Sequence, residues 1–273
     1  MTETTISALY TYPVKSCGGI RQDTAELGPR GLLLDRQWMV IDTANRFVTQ
    51  REYPAMSLVQ TALSDDTLTL TAPDMSPLSV PIAEENGPQR EVVVWKDTCR
   101  AIDAGDEAAS WFSEVLHTEV RLVRMPDDYQ RLTSTSYTDE PGTLSFADGY
   151  PLLFISEGSL VDLNQRLAER GKSPMLMNRF RPNIVFAGCA PYAEDTWQQV
   201  TIAGIRFDVV KPCARCPITT VDQALGRIPD VKEPLATLAT YRRGANGGVM
   251  FGQNALHRGR GTLHVGDSVT IER

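Results

Sequence analysis

The fold class is clearest in the stretch VTIAGIRFDVV, at residues 200–210, where two short apolar runs flank a glycine turn. The closing stretch GTLHVGDSVTIER, at residues 261–273, has the same arrangement. Apolar runs separated by such turns are typical of consecutive β-strands. Other strand candidates are WMVID and RFVTQ, which flank the turn TAN as a predicted hairpin, and TLTLTA, EVVVW, VRLVR and NIVFAG. The many short strands predict a mostly antiparallel, barrel-forming protein.

Three segments with a helical spacing of apolar residues interrupt the strands. DAGDEAASWFSEVLH, at 103–117, has Asp106 as its predicted N-cap and one apolar face made of Ala108, Trp111, Phe112, Val115 and Leu116. SEGSLVDLNQRLAERG, at 156–171, begins at the cap Ser156 and ends at Gly171. KEPLATLATYRR, at 232–243, has Pro234 in its first turn. We therefore predict an α+β protein that is mainly β with several helices.

Length and composition allow one large domain or two ordinary ones. The 273 residues are 42% hydrophobic and 22% charged, as in a folded globular protein. A polar stretch rich in Pro, Ser and Thr, MPDDYQRLTSTSYTDEPGT, begins at residue 125. We place a domain boundary just before it, which divides the chain into residues 1–122 and 123–273.

The charge and the apolar runs exclude several functions. The net charge is −7 and the pI is near 5.1, with Lys and Arg scattered along the chain. Nucleic acid and anionic membranes are therefore not expected as partners. MTETTISALYTYP, at the N-terminus, has neither the basic start nor the apolar run of a secretory signal, and PLLFI is too short to span a bilayer. These features predict a cytoplasmic protein.

The stretch VVKPCARCPITTVD, at residues 209–222, contains Cys213 and Cys216 beside Lys211 and Arg215. Five cysteines, an odd number, in a chain without a secretory signal favour reduced thiols over a disulfide framework. The pair is therefore predicted to be catalytic or metal-binding.

Four interpretations of this cysteine pair are available. A structural zinc site normally needs four ligands, but the remaining candidates are isolated: Cys17, Cys99, Cys189, His117, His257 and His264. A thioredoxin-like dithiol would begin a helix, whereas PITTVD after the pair is β-branched and predicts an extended segment. Two inert buried thiols would leave Lys211 and Arg215 without a role. A single thiolate next to cations suits a metal carried by an anionic cofactor, which would bring the other ligands.

Six further stretches of the sequence, which we call blocks, occur in the order in which a known protein family has them. They are YPVKSCGG at 12–19, LLLDRQWMVID at 32–42, FADGYPLLFIS at 146–156, NRFRPNIVFAG at 178–188, FGQN at 251–254 and VGDSVTIE at 265–272. Together with VVKPCARCPITTVD they resemble MOSC domains, the molybdenum-cofactor-binding β-barrels, and among these the amidoxime-reducing components and the bacterial reductases of N-hydroxylated bases. The resemblance implies an N-terminal MOSC β-barrel-like domain over 1–122 and a MOSC β-barrel domain over 123–273.

The resemblance also implies roles for individual residues. Cys216 corresponds to the family's molybdenum ligand and catalytic cysteine, a choice over Cys213 that spacing alone does not make. The pterin-phosphate contacts correspond to Lys15, Ser16, Arg36 and Arg181, and further cofactor contacts to Asp148, Gly149, Tyr150, Ala214, Arg215 and Asn254. Arginine forks and an ammonium suit a phosphate. Without the resemblance, surface ion pairs, a plain turn or a solvated lysine would explain several of them. Cys17 and Cys213 receive no role.

The activity implied is a molybdenum-cofactor-dependent oxidoreductase that reduces N-hydroxylated compounds of the hydroxylaminopurine or amidoxime type to amines or amidines. Some bacterial relatives continue into a ferredoxin-like domain, whereas this chain stops at Arg273. Electrons are therefore expected from a separate ferredoxin- or flavoprotein-type partner. The alternative is a carrier or sensor of molybdenum cofactor without turnover of its own, and a zinc-binding structural protein is a distant third.

Overall fold

A computed structural model describes residues 3–83 and 87–272 of the chain. Within these two ranges, strands are far more numerous than helices, and short 3-10 turns connect several of them. None of the helices in the described ranges is long and apolar enough to cross a membrane.

The regular elements are short, as the sequence predicts. The strands are β1 Thr5–Thr11, β2 Ile20–Gln22, β3 Thr24–Gly28, β4 Gly31–Leu32, β5 Trp38–Asp42, β6 Gln60–Leu63, β7 Thr67–Thr71, β8 Leu78–Pro81, β9 Gln89–Val94, β10 Asp97–Asp103, β11 Val120–Arg124, β12 Arg131–Leu132, β13 Thr143–Leu144, β14 Leu152–Ser156, β15 Ile184–Ala187, β16 Gln199–Ile202, β17 Ile205–Ala214, β18 Met250–His257, β19 Gly261–His264 and β20 Val269–Glu272. The helices are α1 Asp106–Leu116, α2 Glu157–Glu169 and α3 Leu235–Leu238.

The largest sheet has eight strands in the order β2-β1-β15-β14-β18-β17-β16-β20. Its pairs are antiparallel except β14 and β15, which are parallel and connected by α2. The sheet curves back on itself, because Thr5 of β1 bridges Ser268 and the Ile6 amide donates to the Asp267 carbonyl at 3.0 Å. Apolar side chains such as Phe154, Phe186 and Phe207 fill its interior. The predicted mostly antiparallel, mainly β architecture is confirmed.

A second core lies around α1. The four-stranded sheet β5-β11-β10-β9 and the three-stranded sheet β6-β7-β8 both contribute to it. Trp38, Phe112 and Leu122 are fully buried there, and the Trp111 indole donates to the Ser76 carbonyl at 2.8 Å. The apolar face predicted for α1 therefore packs where the helical spacing directs it.

The two predicted segments of the chain exchange strands. β1 pairs with β15 and so joins a sheet formed mainly by later residues, whereas the later strand β19 pairs with β3 and joins the early strands β3 and β4. The boundary near residue 122 itself stays a prediction.

The structure corrects the details of two predicted helices. Gly105, with φ 93°, is the N-cap of α1 rather than Asp106, because its amide donates to the Asp103 carboxylate while Asp106 pairs with Arg121 at 2.7 Å. α3 has only four residues, with Pro234 as its N-cap. After Leu238 the regular helix gives way to a turn, in which the Leu238 carbonyl accepts from both the Tyr241 amide at 3.1 Å and the Arg242 amide at 2.7 Å.

Two predicted extended segments also differ. RFVTQ forms only isolated bridges, Ile41 with Phe47 and Arg46 with Val93, instead of a full hairpin strand. The segment after Cys216 is not extended but forms a 3-10 turn over Pro217–Thr220. Its two threonine hydroxyls donate to carbonyls three residues earlier, which closes the turn in spite of the β-branched side chains.

Candidate functional site

All eleven residues singled out in the sequence line one open cavity of about 800 Å³, which we call the basic cavity. They lie on six separate segments of the chain. Lys15 and Ser16 follow β1, Arg36 precedes β5, and Asp148, Gly149 and Tyr150 lie in the loop before β14. Arg181 lies in the turn before β15, Ala214, Arg215 and Cys216 lie at the end of β17 and just after it, and Asn254 lies on β18. Four arginines and one lysine face it, the fourth arginine being Arg51. The cavity is therefore suited to an anion.

Three of these residues have a left-handed backbone, which side chains other than glycine rarely adopt. Their φ angles are 68° at Ser16, 47° at Arg36 and 55° at Arg181. Each such residue costs roughly 1–2 kcal/mol and persists only where the surroundings fix it. Here the Arg36 amide donates to the Tyr12 carbonyl at 2.7 Å, and Gln50 donates to the Ser16 carbonyl at 2.6 Å. Such strain is concentrated at functional sites in proteins.

The ring of Tyr12, which is 2% exposed, supports two of the arginines. The guanidinium carbons of Arg36 and Arg181 lie 4.5 and 4.2 Å from its centroid. Asp35 links Tyr12 to Arg36, since its carboxylate accepts from the Tyr12 amide at 2.9 Å and from Arg36 Nη1 at 2.5 Å. A Cβ at Gly19 would lie only 2.3 Å from the ring, so this position needs glycine. The ring therefore holds two cations at the cavity wall.

Several buried polar atoms of the cavity have no hydrogen-bond partner among the described residues: Arg181 Nη2, Arg215 Nε and Tyr150 Oη. Another nitrogen of each arginine is used, because Arg181 Nη1 donates to the Cys17 carbonyl and Arg215 Nη2 to the Phe180 carbonyl, both at 2.7 Å. Burial lowers the pKa of Arg181 to about 10, so it remains a cation at neutral pH. Buried N–H groups of this kind normally meet an acceptor. An anionic, polar ligand would supply one.

Lys15 and Asp148 form an ion pair at the edge of the basic cavity. Lys15 is 6% exposed and also donates to the Phe146 carbonyl at 2.7 Å, and the Trp95 indole donates to Asp148 at 3.0 Å. Burial lowers the pKa of Lys15, although Asp148 opposes this. Desolvation raises the pKa of Asp148, but the Lys15 ammonium and the Trp95 N–H outweigh it and hold that pKa well below its usual range. Asp148 therefore stays ionised at neutral pH.

The two cysteines of the pair have different surroundings. Cys213 also lines the basic cavity, but it packs against the apolar cluster that contains Phe251, and its sulfur accepts from Arg215 Nη1 at 3.1 Å. Cys216 lines the cavity directly before the 3-10 turn. Within residues 3–83 and 87–272, no group of three or more His, Cys, Asp or Glu side chains is arranged to hold a metal ion.

Cys17 contributes its backbone rather than its thiol. The side chain is fully buried among apolar residues that include Val14, and burial raises its pKa to about 12. Its carbonyl accepts from Arg181, as described above. The thiol is therefore protonated and inaccessible at neutral pH.

Sequence reasoning missed the residues that hold the arginines in place. Tyr12, Asp35 and Asn183 lie inside or beside the quoted blocks, and Asn183 Oδ1 accepts from Arg36 at 3.0 Å and from the Leu153 amide at 3.2 Å. Their position next to Lys15, Arg36 and Arg181 in the sequence was the available signal. Nothing in the sequence alone shows that they contact one another across the fold.

The family follows from matches over both halves of the chain. Residues 3–119 match the MOSC N-terminal beta barrel domain, and residues 141–270 match the MOSC domain. The chain belongs to the MOSC family, in which it combines these two domains. The resemblance read from the six blocks is therefore confirmed.

Within the family, the chain is similar to proteins with two kinds of name. It is 38% identical to "Mitochondrial amidoxime reducing component 2" of Bos taurus, with 87% of this chain and 72% of that one covered. It is 37% identical to "Mitochondrial amidoxime-reducing component 1" of Mus musculus, with 98% and 82% covered. It is also 32% identical to "Molybdenum cofactor sulfurase" of Oryza sativa subsp. japonica, over 90% of this chain and 32% of that one.

Proposed function

We propose that the chain is a molybdenum-cofactor-dependent oxidoreductase that reduces N-hydroxylated compounds to amines or amidines. The names of the amidoxime-reducing relatives support this reaction. The observation that carries the proposal is the basic cavity, in which Cys216 lies near two buried, unpartnered arginine N–H groups of the described chain. A soft thiolate ligand and an anion-binding wall are what a metal on a phosphorylated pterin requires.

The residues of the cavity fit this cofactor. Lys15, Ser16, Arg36 and Arg181 would hold the pterin phosphate, and Cys216 would ligate molybdenum. The remaining cofactor contacts would come from Asp148, Gly149, Tyr150, Ala214, Arg215 and Asn254, all on the cavity wall. The unpartnered Arg181 Nη2 and Arg215 Nε give the fit a physical reason, because each gains an acceptor when an anionic group binds.

The protein's part in the reaction is binding and electrostatics. Its five cations stabilise an anionic cofactor, and the Tyr12 ring and Asp35 hold two of them in place before binding. When bound, the molybdenum cofactor supplies the two-electron chemistry that the side chains lack. The overall reaction is R–NH–OH + 2 e⁻ + 2 H⁺ → R–NH₂ + H₂O.

We propose that a separate ferredoxin- or flavoprotein-type protein delivers the electrons, and that the enzyme acts in the cytoplasm.

The proposal is tested by replacing Cys216→Ala in protein made by a host that synthesises molybdenum cofactor. We expect near-stoichiometric molybdenum and pterin in the native protein, loss of molybdenum from the variant, and loss of benzamidoxime reduction with an artificial electron donor. Cys189→Ala is the matched control, because Cys189 is a half-buried cysteine that packs against the barrel core and lines none of the cavity. Full activity in the Cys216→Ala protein would refute the ligand assignment.

A second candidate function is a carrier of molybdenum cofactor that hands it on without turnover. The similarity to a molybdenum cofactor sulfurase favours it. The two functions differ in stoichiometry: a reductase consumes many equivalents of benzamidoxime per bound molybdenum, whereas a carrier consumes at most one. Transfer of molybdenum to an acceptor apoprotein, without repeated reduction, would select the carrier.

A further inference from the structure

A second cavity of about 890 Å³ lies beside the basic cavity, and we call it the lateral groove. Lys96, Arg131, Ser134, Tyr137 and Lys211 are among the residues that line it. It shares Asp148, Gly149 and Tyr150 with the basic cavity, so the two are neighbours along this short segment. A Cβ at Gly149 would meet no described atom within 4 Å, which leaves the shared edge open. A molecule at the edge of the basic cavity could therefore extend into the groove.

The lateral groove carries an excess of positive charge. Arg131 is neutralised by Asp97 at 2.8 Å, and Asp148 by Lys15. Lys96 and Lys211, in contrast, have no carboxylate partner anywhere in the described ranges. The lateral groove is therefore lined by two ammonium groups without a described carboxylate partner, in a chain whose net charge is −7. They would attract an anion at neutral pH.

The lateral groove also offers an aromatic surface. The Tyr137 side chain is 53% exposed, and Lys211 Nζ lies 4.4 Å from its ring centroid. On the shared edge, Tyr150 Oη is buried and has no partner among the described residues. A flat ring could stack near Tyr137 while an acidic substituent met the lysines.

From these contacts we propose that the lateral groove is the substrate subsite for an anionic substituent, a carboxylate or phosphate, carried on a ring-containing N-hydroxylated substrate. The inference rests on the proposed reductase function and names the class of substrate that it prefers. The N–O end would lie at the edge formed by Gly149 and Tyr150, toward Cys216, and the acidic end would lie between Lys96 and Lys211.

The test compares two substrates that differ only in charge, benzamidoxime and its para-carboxylate, on the cofactor-loaded enzyme. We expect a higher kcat/KM for the carboxylate, with the preference reduced about fivefold by Lys96→Met or Lys211→Met, the upper range for a partly exposed charge pair. Lys232→Met is the matched control, because that exposed lysine lines neither cavity, and it should leave the preference unchanged. Added salt should weaken the preference.

Calorimetric binding of the two compounds without an electron donor separates this inference from the proposed reaction. Tighter binding of the carboxylate that depends on both lysines supports the groove, even if neither compound is reduced, in which case the reductase proposal alone fails. Reduction of both compounds with equal kcat/KM and equal affinity would overturn the groove and leave the reductase proposal standing. Absence of both reduction and binding would overturn both.

Discussion

At the scale of single residues, Tyr12 supports the basic cavity without lining it. Its ring contacts two guanidinium groups that would otherwise repel each other, and its hydroxyl is buried without a partner among the described residues. Cation–π contacts of this buried kind stabilise by up to about 2 kcal/mol. The ring, and not the hydroxyl, is therefore expected to determine how well the arginine pair is held.

Tyr12→Phe and Tyr12→Leu separate these two parts of the side chain. We expect Tyr12→Phe to keep molybdenum and pterin at the native level, with the free energy of unfolding unchanged to within about 0.5 kcal/mol, because the lost hydroxyl has no partner. Tyr12→Leu should lose cofactor several times faster on dialysis and lower the unfolding free energy by about 2 kcal/mol or more. Metal analysis and urea titration give the two readouts.

Tyr10→Leu provides the control for loss of an aromatic ring. Tyr10 lies on β1, two residues before Tyr12, and stacks on it with centroids 6.4 Å apart, whereas the cation–π contacts of Arg36 and Arg181 are with the Tyr12 ring. If Tyr10→Leu and Tyr12→Leu released cofactor at the same rate, the arginine support would not be the cause.

At the scale of elements, the 3-10 turn over Pro217–Thr220 fixes the direction in which the chain leaves Cys216. Thr219 is fully buried and its hydroxyl donates to the Cys216 carbonyl at 3.1 Å. Thr220 repeats this contact to the Pro217 carbonyl at 2.7 Å. The turn therefore holds the backbone of Cys216, the proposed molybdenum ligand, in place. The Thr219 hydrogen bond that does so was not predicted from the β-branched sequence.

Thr219→Val keeps the shape of the side chain and removes this hydrogen bond. We expect the free energy of unfolding to fall by about 1 kcal/mol, and alkylation of Cys216 by iodoacetamide in the cofactor-free protein to become faster as the turn opens. Thr196→Val is matched to it, because Thr196 makes the same contact, to the Ala193 carbonyl at 2.9 Å, in an exposed 3-10 turn. Equal alkylation rates in native and Thr219→Val proteins would show that the turn does not fix Cys216.

At the scale of the whole molecule, the exchange of strands ties the two domains together. β1 pairs with β15, β19 pairs with β3, and the Val269 amide donates to the Thr4 carbonyl at 2.9 Å. Neither half of the chain buries its strand edges without the other. Cooperative unfolding of the two domains is the consequence.

We therefore expect a single thermal transition. Tryptophan fluorescence reports mainly on the first half, which holds Trp38, Trp95 and Trp111, whereas far-UV circular dichroism reports on all the strands. The two signals should change at the same temperature, and Phe207→Leu in the barrel interior should lower both midpoints equally. Two separated midpoints, or a shift in only one signal, would show that the domains unfold independently.

The sequence was sufficient for the fold class and for the residues that meet at the basic cavity. Strand patterning was reliable in stretches such as VTIAGIRFDVV, where alternation and a glycine turn agree. It failed where side chains bond to nearby backbone, as in PITTVD, or where a neighbouring residue takes the cap, as Gly105 does before Asp106. The arginine support by Tyr12 and the lateral groove depend on contacts between distant segments, which local patterns do not encode.

The left-handed backbone at Ser16, Arg36 and Arg181 has a consequence for protein engineering. Glycine would relieve the strain at each position, by roughly 1 kcal/mol or more. At Arg36 and Arg181 this gain is smaller than the loss of the contacts with Tyr12 and, for Arg36, of the ion pair with buried Asp35. A library of variants enriched only for melting temperature would therefore drift toward glycine at Ser16 alone, and would discard a proposed cofactor contact without any sign of damage in the screen. Thermostabilisation of this protein needs a parallel selection for cofactor content.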